Sequence, residues 1–571
     1  MVSFTYRVLA VLLVCATASM ECNGSEPAKA EQTNGGAGSS TLDARIQELM
    51  RRPEFQGARW GMKFYSPDTK RVIYSLNSDQ LLQPASAMKV FVAGTAFVAL
   101  GPDYRFHTTV YRTGPVEKGI LKGDLVLVAS GDLLLGGRVR PDGQLALPEP
   151  DHTYALLHPV EVAASEDPLR SVKEIAAQIA ACGIKRVEGS VLVDASLFRE
   201  DKAEAGGTGK IVISPMMIHD NLVDVVVTPG SREGEAATLR VSPETAYVKV
   251  INKTTTTAAS DAPAGGVFRG NRNAPAAGVF RGNRPGALRF IDDVTTSDGS
   301  HTVTLTGNIP LGSPPLLCAY SVPEPVRFAE VVLAEALQAR GITANVDLLA
   351  KPDFQTLSRF YTAEHRVAEL VSPPLCDEVK PMLKLSSNPH TLQFPYVVGA
   401  IAGHEKENAR SKGMELQQKL FEKAGMDPAG AKPSDQLGRD KYSADAFIQF
   451  LTYMSRQPYF PKYLRALPIM GKDGSLAKVQ ASSPVAGHVY AKTGTAIGTR
   501  LSASGADSGK NGVRVIKALA GYIELPDGRF IAFAEFLEME DQRHFKGLEP
   551  FDQVMGQIAS AVYESLVSRP H

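Results

Sequence analysis

The sequence predicts an α/β protein: a sheet built from both ends of the chain, flanked by helices and interrupted by a large β-rich insertion. Three observations predict it. Strand signals stand around a turn in "WGMKFYSPDTKRVIYSLNSDQ" and return near the C-terminus in "KALAGYIELPDGRFIAFAEFLEM". From about residue 355 the intervening texture is helix-rich, with apolar residues recurring at helical spacing. Between 114 and 230 it changes to short strands with Gly-Asp and Pro-Gly punctuation, "GDLVLVASGD", "VEGSVLVDASLF" and "NLVDVVVTPGS". A chain of 571 residues also exceeds what a single core usually serves, so more than one domain is expected.

In chain order, Arg7 precedes the apolar run Val8 to Val14, which is too short to span a bilayer, and Ala16-Thr17-Ala18 offers small residues for cleavage. Residues 1–18 therefore read as a signal peptide, and 19–42, with "GSEPAKAEQTNGGAGSS", as a flexible tether. Cys15 and Cys22 lack the small preceding residue that a lipid-attachment signal carries. Segments 43–113 and 355–571 are expected to form one discontinuous domain, opening with a helix at 43–52 and closing with a Pro-Asp-Gly hairpin and a helix near 549–566.

Segments 114–230 and 323–354 form the inserted domain, with helices at 169–182 and in "PVRFAEVVLAEALQARGI", closed by Gly341. Within it, 231–322 reads as a nested β-rich subdomain. This subdomain carries a tandem repeat at 262–285, "APAGGVFRGNRN" then "APAAGVFRGNRP". Two copies are too few for a solenoid, and duplication in a surface loop is the simpler account.

Acidic and basic residues balance at 61 each, which removes the electrostatic footprint of a general nucleic-acid binder. Cys182, Cys318 and Cys376 show neither metal-site nor disulfide spacing and read as buried thiols. The eleven histidines are scattered, with no His-Glu-x-x-His pattern, so neither a metal site nor a cofactor is expected.

The chemistry-bearing candidate is Ser86-Ala87-Met88-Lys89. A Ser-x-x-Lys tetrad alone is weak evidence, because Ser475-Leu476-Ala477-Lys478 repeats it. Context separates the two: Pro84 suits the start of a helix, and Val90 to Leu100 is apolar on nearly every face, whereas the second tetrad follows a Lys-Asp-Gly turn. A serine hydroxyl is a poor nucleophile until a base takes its proton, and Lys89 lies on the same helix face about 4.5 Å further along. Lysine must be neutral to act so; burial and a second cation, Lys492, both push its pKa down. Ser386-Ser387-Asn388 and Lys492-Thr493-Gly494-Thr495 complete the constellation, the latter directly before a late β segment.

In these three motifs the chain resembles the serine penicillin-recognising enzymes. It is most similar to the class C low-molecular-mass penicillin-binding proteins, the D-alanyl-D-alanine carboxypeptidase/endopeptidases. The long insertion carries that distinction, since Ser86 and Ser386 stand 300 positions apart. "TGNIPLG", "LPIMGKDGSL" and "LAGYI" add to the likeness, which spans roughly 43–565.

The resemblance implies a transpeptidase/β-lactamase-like domain with an antiparallel sheet. It implies Ser86 as nucleophile, Lys89 as base and Ser386 as relay of a proton to the leaving amine. Asn388 would hold the substrate backbone, Lys492 and Thr493 the terminal carboxylate, and Gly494 would let the backbone approach closely. The N–H groups of Ser86 and Thr495 would form the oxyanion hole. Asp194 matches a position that can meet a peptidoglycan side-chain amine, and reads equally well as a turn aspartate.

Two departures stand out. The family's Gly-Ser-Gly-Leu-Ser stretch is replaced by Ser434-Asp435-Gln436-Leu437-Gly438, and the link after Thr495, 496–516, is lengthened. The resemblance thus implies an envelope-facing serine D-Ala-D-Ala carboxypeptidase, with endopeptidase action open. Peptidoglycan stem peptides would be its substrate and β-lactams its inhibitors. A peripheral membrane or cell-wall association and the oligomeric state stay open. The rival readings are a penicillin-binding scaffold of little turnover, motivated by the altered rim, and a β-lactamase, against which the insertion argues.

Overall fold

Five strands from the two ends of the chain make the central sheet, in the order Arg71–Leu76, Arg59–Ser66, Phe530–Gln542, Val513–Glu524, Val489–Thr499, every pair antiparallel. The computed structural model describes residues 38–156, 158–163, 166–204, 210–259, 286–434, 440–499, 513–542 and 547–568. Side chains alternate across this sheet as strand geometry requires. Val515, Leu519 and Ile523, with Phe533 and Leu537, join a core under the Gly38–Met50 and Glu549–Val567 helices. Ala518, Ala520, Ala532 and Ala534 face the opposite way, toward the Lys89–Leu100 helix. Four alanines on that face leave room for a helical layer to sit close to the sheet.

The Lys89–Leu100 helix is the centre of that layer, buried from Lys89 through Phe97. Phe91 meets Phe421, Tyr442, Phe447 and Phe450 with ring centroids 4.5–5.1 Å apart. At Gly94 an added Cβ would lie 2.5 Å from the Phe450 ring, so only glycine lets these elements pack as they do. The expected central buried helix is present, buried over its first nine residues, with Val98, Ala99 and Leu100 half-buried.

The insertion has a sheet of its own. Its order runs Arg366–Val371, His107–Arg112, Leu125–Val128, Arg186–Asp194, Ile120–Leu121, Val116–Glu117, with Thr343–Asn345 also on Arg186–Asp194. Helices Arg170–Ala181 and Pro325–Gln338 share a core with this sheet. His107–Arg112 and Arg366–Val371 were expected in the end-built domain; they instead pair with each other inside this sheet, so the limits at 113 and 355 cut it. The border at 230 likewise falls between Leu222–Thr228 and Thr238–Ser242, which are partners in one four-stranded sheet. Beyond it, Val248–Thr257, His301–Pro310 and Arg289–Thr295 form a three-stranded sheet.

The tandem repeat at 262–285, the signal peptide and the tether up to residue 37 lie outside the described residues, while 38–42 begin the first helix rather than ending a tether. Of the thiols read as buried, Cys318 is buried, Cys376 is half-buried and Cys182 is exposed at a helix end, where its Sγ donates to the Val367 carbonyl. Among the described residues, no helix is long and apolar enough to cross a membrane.

Candidate active site

Ser86 sits in a 3-10 turn, Ala85–Met88, that runs directly into the Lys89–Leu100 helix. This corrects the expectation that Ser86 and Lys89 share an α-helix; in a 3-10 turn, side chains three apart eclipse. Ala85 takes a left-handed φ of 44°, a strained conformation of the kind that clusters at functional sites. Ser86 is partly exposed, whereas Ala85, Ala87, Met88 and Lys89 are buried.

Lys89 Nζ reaches across to the second motif, lying 2.6 Å from the Ser386 carbonyl, 3.1 Å from Ser386 Oγ and 2.8 Å from Asn388 Oδ1. Ser386 is held at a left-handed φ of 63° immediately before the Asn388–Ile401 helix, which turns both its carbonyl and its hydroxyl toward Nζ. Burial first, and then the charge of Lys492, hold the Lys89 amine well below its ordinary range.

Lys492, Thr493, Gly494 and Thr495 lie on the edge strand Val489–Thr499. A Cβ at Gly494 would stand 2.0 Å from the Pro84 carbonyl oxygen and 3.1 Å from the Ala87 nitrogen. The strand therefore presses against the turn that carries Ser86. Lys492 is fully buried and donates to the Thr493 carbonyl at 2.8 Å. Burial, followed by repulsion from Lys517, lowers its pKa to about 7, while Glu149 pulls the other way.

Sequence reasoning missed two contributors. Lys517 stands opposite Thr495 in the ladder, donates to Thr495 Oγ1 at 2.6 Å and pairs with Asp552 of the last helix. Ser475, set aside with the second Ser-x-x-Lys tetrad, bonds Thr493 Oγ1 at 2.8 Å. Its turn also meets the second motif, because Lys384 donates to Asp473 and to the Leu467 carbonyl. The available signal was "LPIMGKDGSL", noted as a likeness without assigning the serine a place.

Asp194 ends the Arg186–Asp194 strand, where its carboxylate accepts from Tyr361 Oη at 2.7 Å and from the Ser196 amide at 2.8 Å. Both partners, Tyr361 and Ser196, lie outside the three motifs. Of the two departures at 434–438 and 496–516, residues 435–438 and 500–512 lie outside the described residues. Nor are the histidines all scattered: His152, His219 and His390 converge on Asp220 and Asp224.

Lys89 joins the first motif to the second in one site, and the protein is a serine peptidase. The chain belongs to the D-Ala-D-Ala carboxypeptidase 3 (S13) family, which it matches over residues 42–269 and 291–557. It is similar to the D-alanyl-D-alanine carboxypeptidase of Actinomadura sp. (strain R39), 25% identical over 92% of this chain and 86% of the relative. It is also similar to the D-alanyl-D-alanine carboxypeptidase DacB of Haemophilus influenzae, 21% identical over 84% and 86% of the two chains. The crystal structure of penicillin binding protein 4 (dacB) from H. influenzae shares the fold, with a TM-score of 0.62, 18% identity and coverage of 92% of this chain and 99% of that one.

Proposed function

We propose that the protein removes the terminal D-alanine of peptidoglycan stem peptides through an acyl-enzyme on Ser86, and that it cuts peptide cross-links by the same chemistry. The contact of Lys89 with Ser386 and Asn388 is the observation that carries this reading. Neutral Lys89 takes the proton of Ser86 Oγ as that oxygen attacks the carbonyl of the penultimate residue. The N–H groups of Ser86 and Thr495 stabilise the oxyanion. Ser386 passes the proton to the departing amine nitrogen and free D-alanine leaves. Water then attacks the ester, returns the proton to Ser86 and releases the shortened stem.

Asn388 orients the substrate backbone; Lys492 and Thr493 hold its carboxylate, with Ser475 steadying Thr493. A β-lactam follows the first half of this path, but its cleaved amine stays tethered to the acyl group, so no leaving group departs. That the H. influenzae structure has also been obtained with a β-lactam bound supports this reading. A substrate of this kind locates the enzyme in the cell envelope, with residues 1–18 as its export signal and residues near 107–371 as an insertion beside the catalytic domain.

Intact mass after incubation with penicillin tests the assignment. The expected gain is one drug molecule in the native chain and none in Ser86→Ala, together with D-alanine release from a pentapeptide only in the native chain. Label persisting in Ser86→Ala refutes the nucleophile; label without any release favours a binding scaffold.

A further inference from the structure

A second polar centre lies inside the insertion, apart from the Ser86 turn. His152 stands in the 3-10 turn His152–Leu156, and His219 in the tight turn His219–Asn221 that feeds the Leu222–Thr228 strand, on which Asp224 lies. Three consecutive left-handed residues, at φ 51°, 55° and 54°, aim this turn. The His152 and His219 rings lie 4.5 Å apart, centroid to centroid. His152 Nδ1 is 3.1 Å from both carboxylate oxygens of Asp224, and His219 Nε2 is 3.2 Å from Asp224 Oδ2. The three ligand atoms all fall within 4.8 Å of one another.

Those spacings have a chemical meaning. Ligands about 2.0–2.1 Å from a zinc ion at tetrahedral angles are separated by about 3.3 Å, close to the two imidazole–carboxylate gaps observed here. The other nitrogen of His152, Nε2, faces Asp220. A ligating imidazole commonly gives its second N–H to a carboxylate, which fixes the tautomer that leaves Nδ1 free to bind. Asp220 is itself fixed, by Arg138 Nε at 3.0 Å and by His390 Nε2 at 2.9 Å.

Charge points the same way. Asp151, Asp220 and Asp224 are buried together; Arg138 pairs with Asp151 and Asp220, whereas Asp224 faces the imidazoles of His152 and His219. Buried carboxylates without compensation are costly, so the positive charge facing Asp224 comes either from a protonated imidazole or from a bound cation, and the test below separates the two. The side chains of His152, His219 and Asp224 keep 13%, 11% and 10% of their exposure, enough to leave the centre reachable from solvent.

We propose that His152, His219 and Asp224 bind a divalent transition ion of the zinc class, with Asp220 orienting His152. Two imidazoles and one carboxylate suit zinc or cobalt better than magnesium or calcium, which prefer all-oxygen shells. Three protein ligands leave a fourth position for water. The ion would brace the insertion against the catalytic wall, because Asp220 holds His390, two residues beyond Asn388, and Tyr154 Oη donates to the carbonyl of Leu385, next to Ser386.

The test uses the full chain, stripped with a chelator and dialysed against zinc, with bound metal measured by mass spectrometry and the melting temperature recorded. The expectation is about one equivalent bound, a rise in melting temperature with zinc concentration, and an intense visible spectrum on cobalt substitution. His219→Gln and Asp224→Asn are each expected to abolish stoichiometric binding, and Asp220→Asn to weaken it about ten- to hundredfold. Covalent labelling by penicillin reports that each variant is folded. Failure of the native chain to retain zinc overturns the proposal and leaves His152 as an imidazolium held between two aspartates. One equivalent retained by both folded ligand variants overturns it equally, by placing the ion elsewhere.

Discussion

A neutral lysine amine has two N–H donors and one lone pair, and the surroundings of Lys89 fit that inventory. Ser386 O and Asn388 Oδ1 only accept, so they take the two protons, and the lone pair is left for a hydroxyl such as Ser86 or Ser386. Lys89→Ala is therefore expected to stop acylation, whereas Lys492→Ala leaves slow labelling at high drug concentration; progress of the mass adduct with time separates the two. Lys492 must carry its proton to hold a carboxylate, and its pKa is lowered to about 7. It is charged below that value and neutral above it, so kcat/KM for a carboxylate substrate is expected to fall as pH rises past about 7. A substrate whose terminal carboxylate is esterified lacks that limb. Ser475→Ala removes the hydrogen bond to Thr493, worth about 0.5–1.5 kcal/mol, a slowing of roughly two- to twelvefold in acylation with the adduct retained. At this scale the motif serines and lysines were legible because their chemistry restricts residue choice. Ser475 was not, because a positioning hydroxyl carries no pattern of its own.

Elements bring these side chains together through close backbone contact, and Gly494 is where the third motif meets the Ser86 turn. A methyl group there meets the Pro84 carbonyl at 2.0 Å, and backbone cannot yield as the end of a flexible side chain can. Gly494→Ala is expected to push the edge strand off the Ser86 turn. A displacement of about 1 Å costs on the order of a hundredfold in acylation rate, because near-attack geometry supplies much of the acceleration. Penicillin labelling kinetics check this, with a melting curve to show that the variant is folded. The central helix, the closing hairpin and the last helix were all readable from period and turn residues. Which sheet a strand joins was not: His107–Arg112 pairs with Arg366–Val371, and alternation within six residues says nothing about a partner that far along the chain. The histidine cluster escaped for the same reason, since His152, His219 and His390 come from three separate segments that only the fold brings together.

On the scale of the whole molecule, the insertion hangs between the first motif and the second, and its contacts decide which parts of it matter. In sequence the tandem repeat falls between Thr257, at the end of a strand, and Arg289, at the start of the next. Deleting one copy, residues 274–285, is expected to leave the melting temperature and penicillin labelling nearly unchanged. Shortening such a connection alters closure entropy by only about 0.6 kcal/mol per halving of length. The catalytic wall behaves differently, because it is assembled from distant segments: Tyr154 of the insertion bonds Leu385, and Lys384 bonds Asp473. Acylation by a small β-lactam draws on this wall alone. Turnover of a stem peptide is expected to draw also on the rim, where the resemblance implies that the replaced stretch at 434–438 and the lengthened link at 496–516 belong. A short soluble peptide makes few contacts beyond the reacting bond, so it gains little orientation from a reshaped rim, while a polymer can engage surface further out. D-alanine release from a soluble pentapeptide is accordingly expected to be slow relative to penicillin acylation, and faster on polymeric peptidoglycan. Equal turnover on both substrates, at the rate of acylation, would show that the altered rim has no bearing on the reaction.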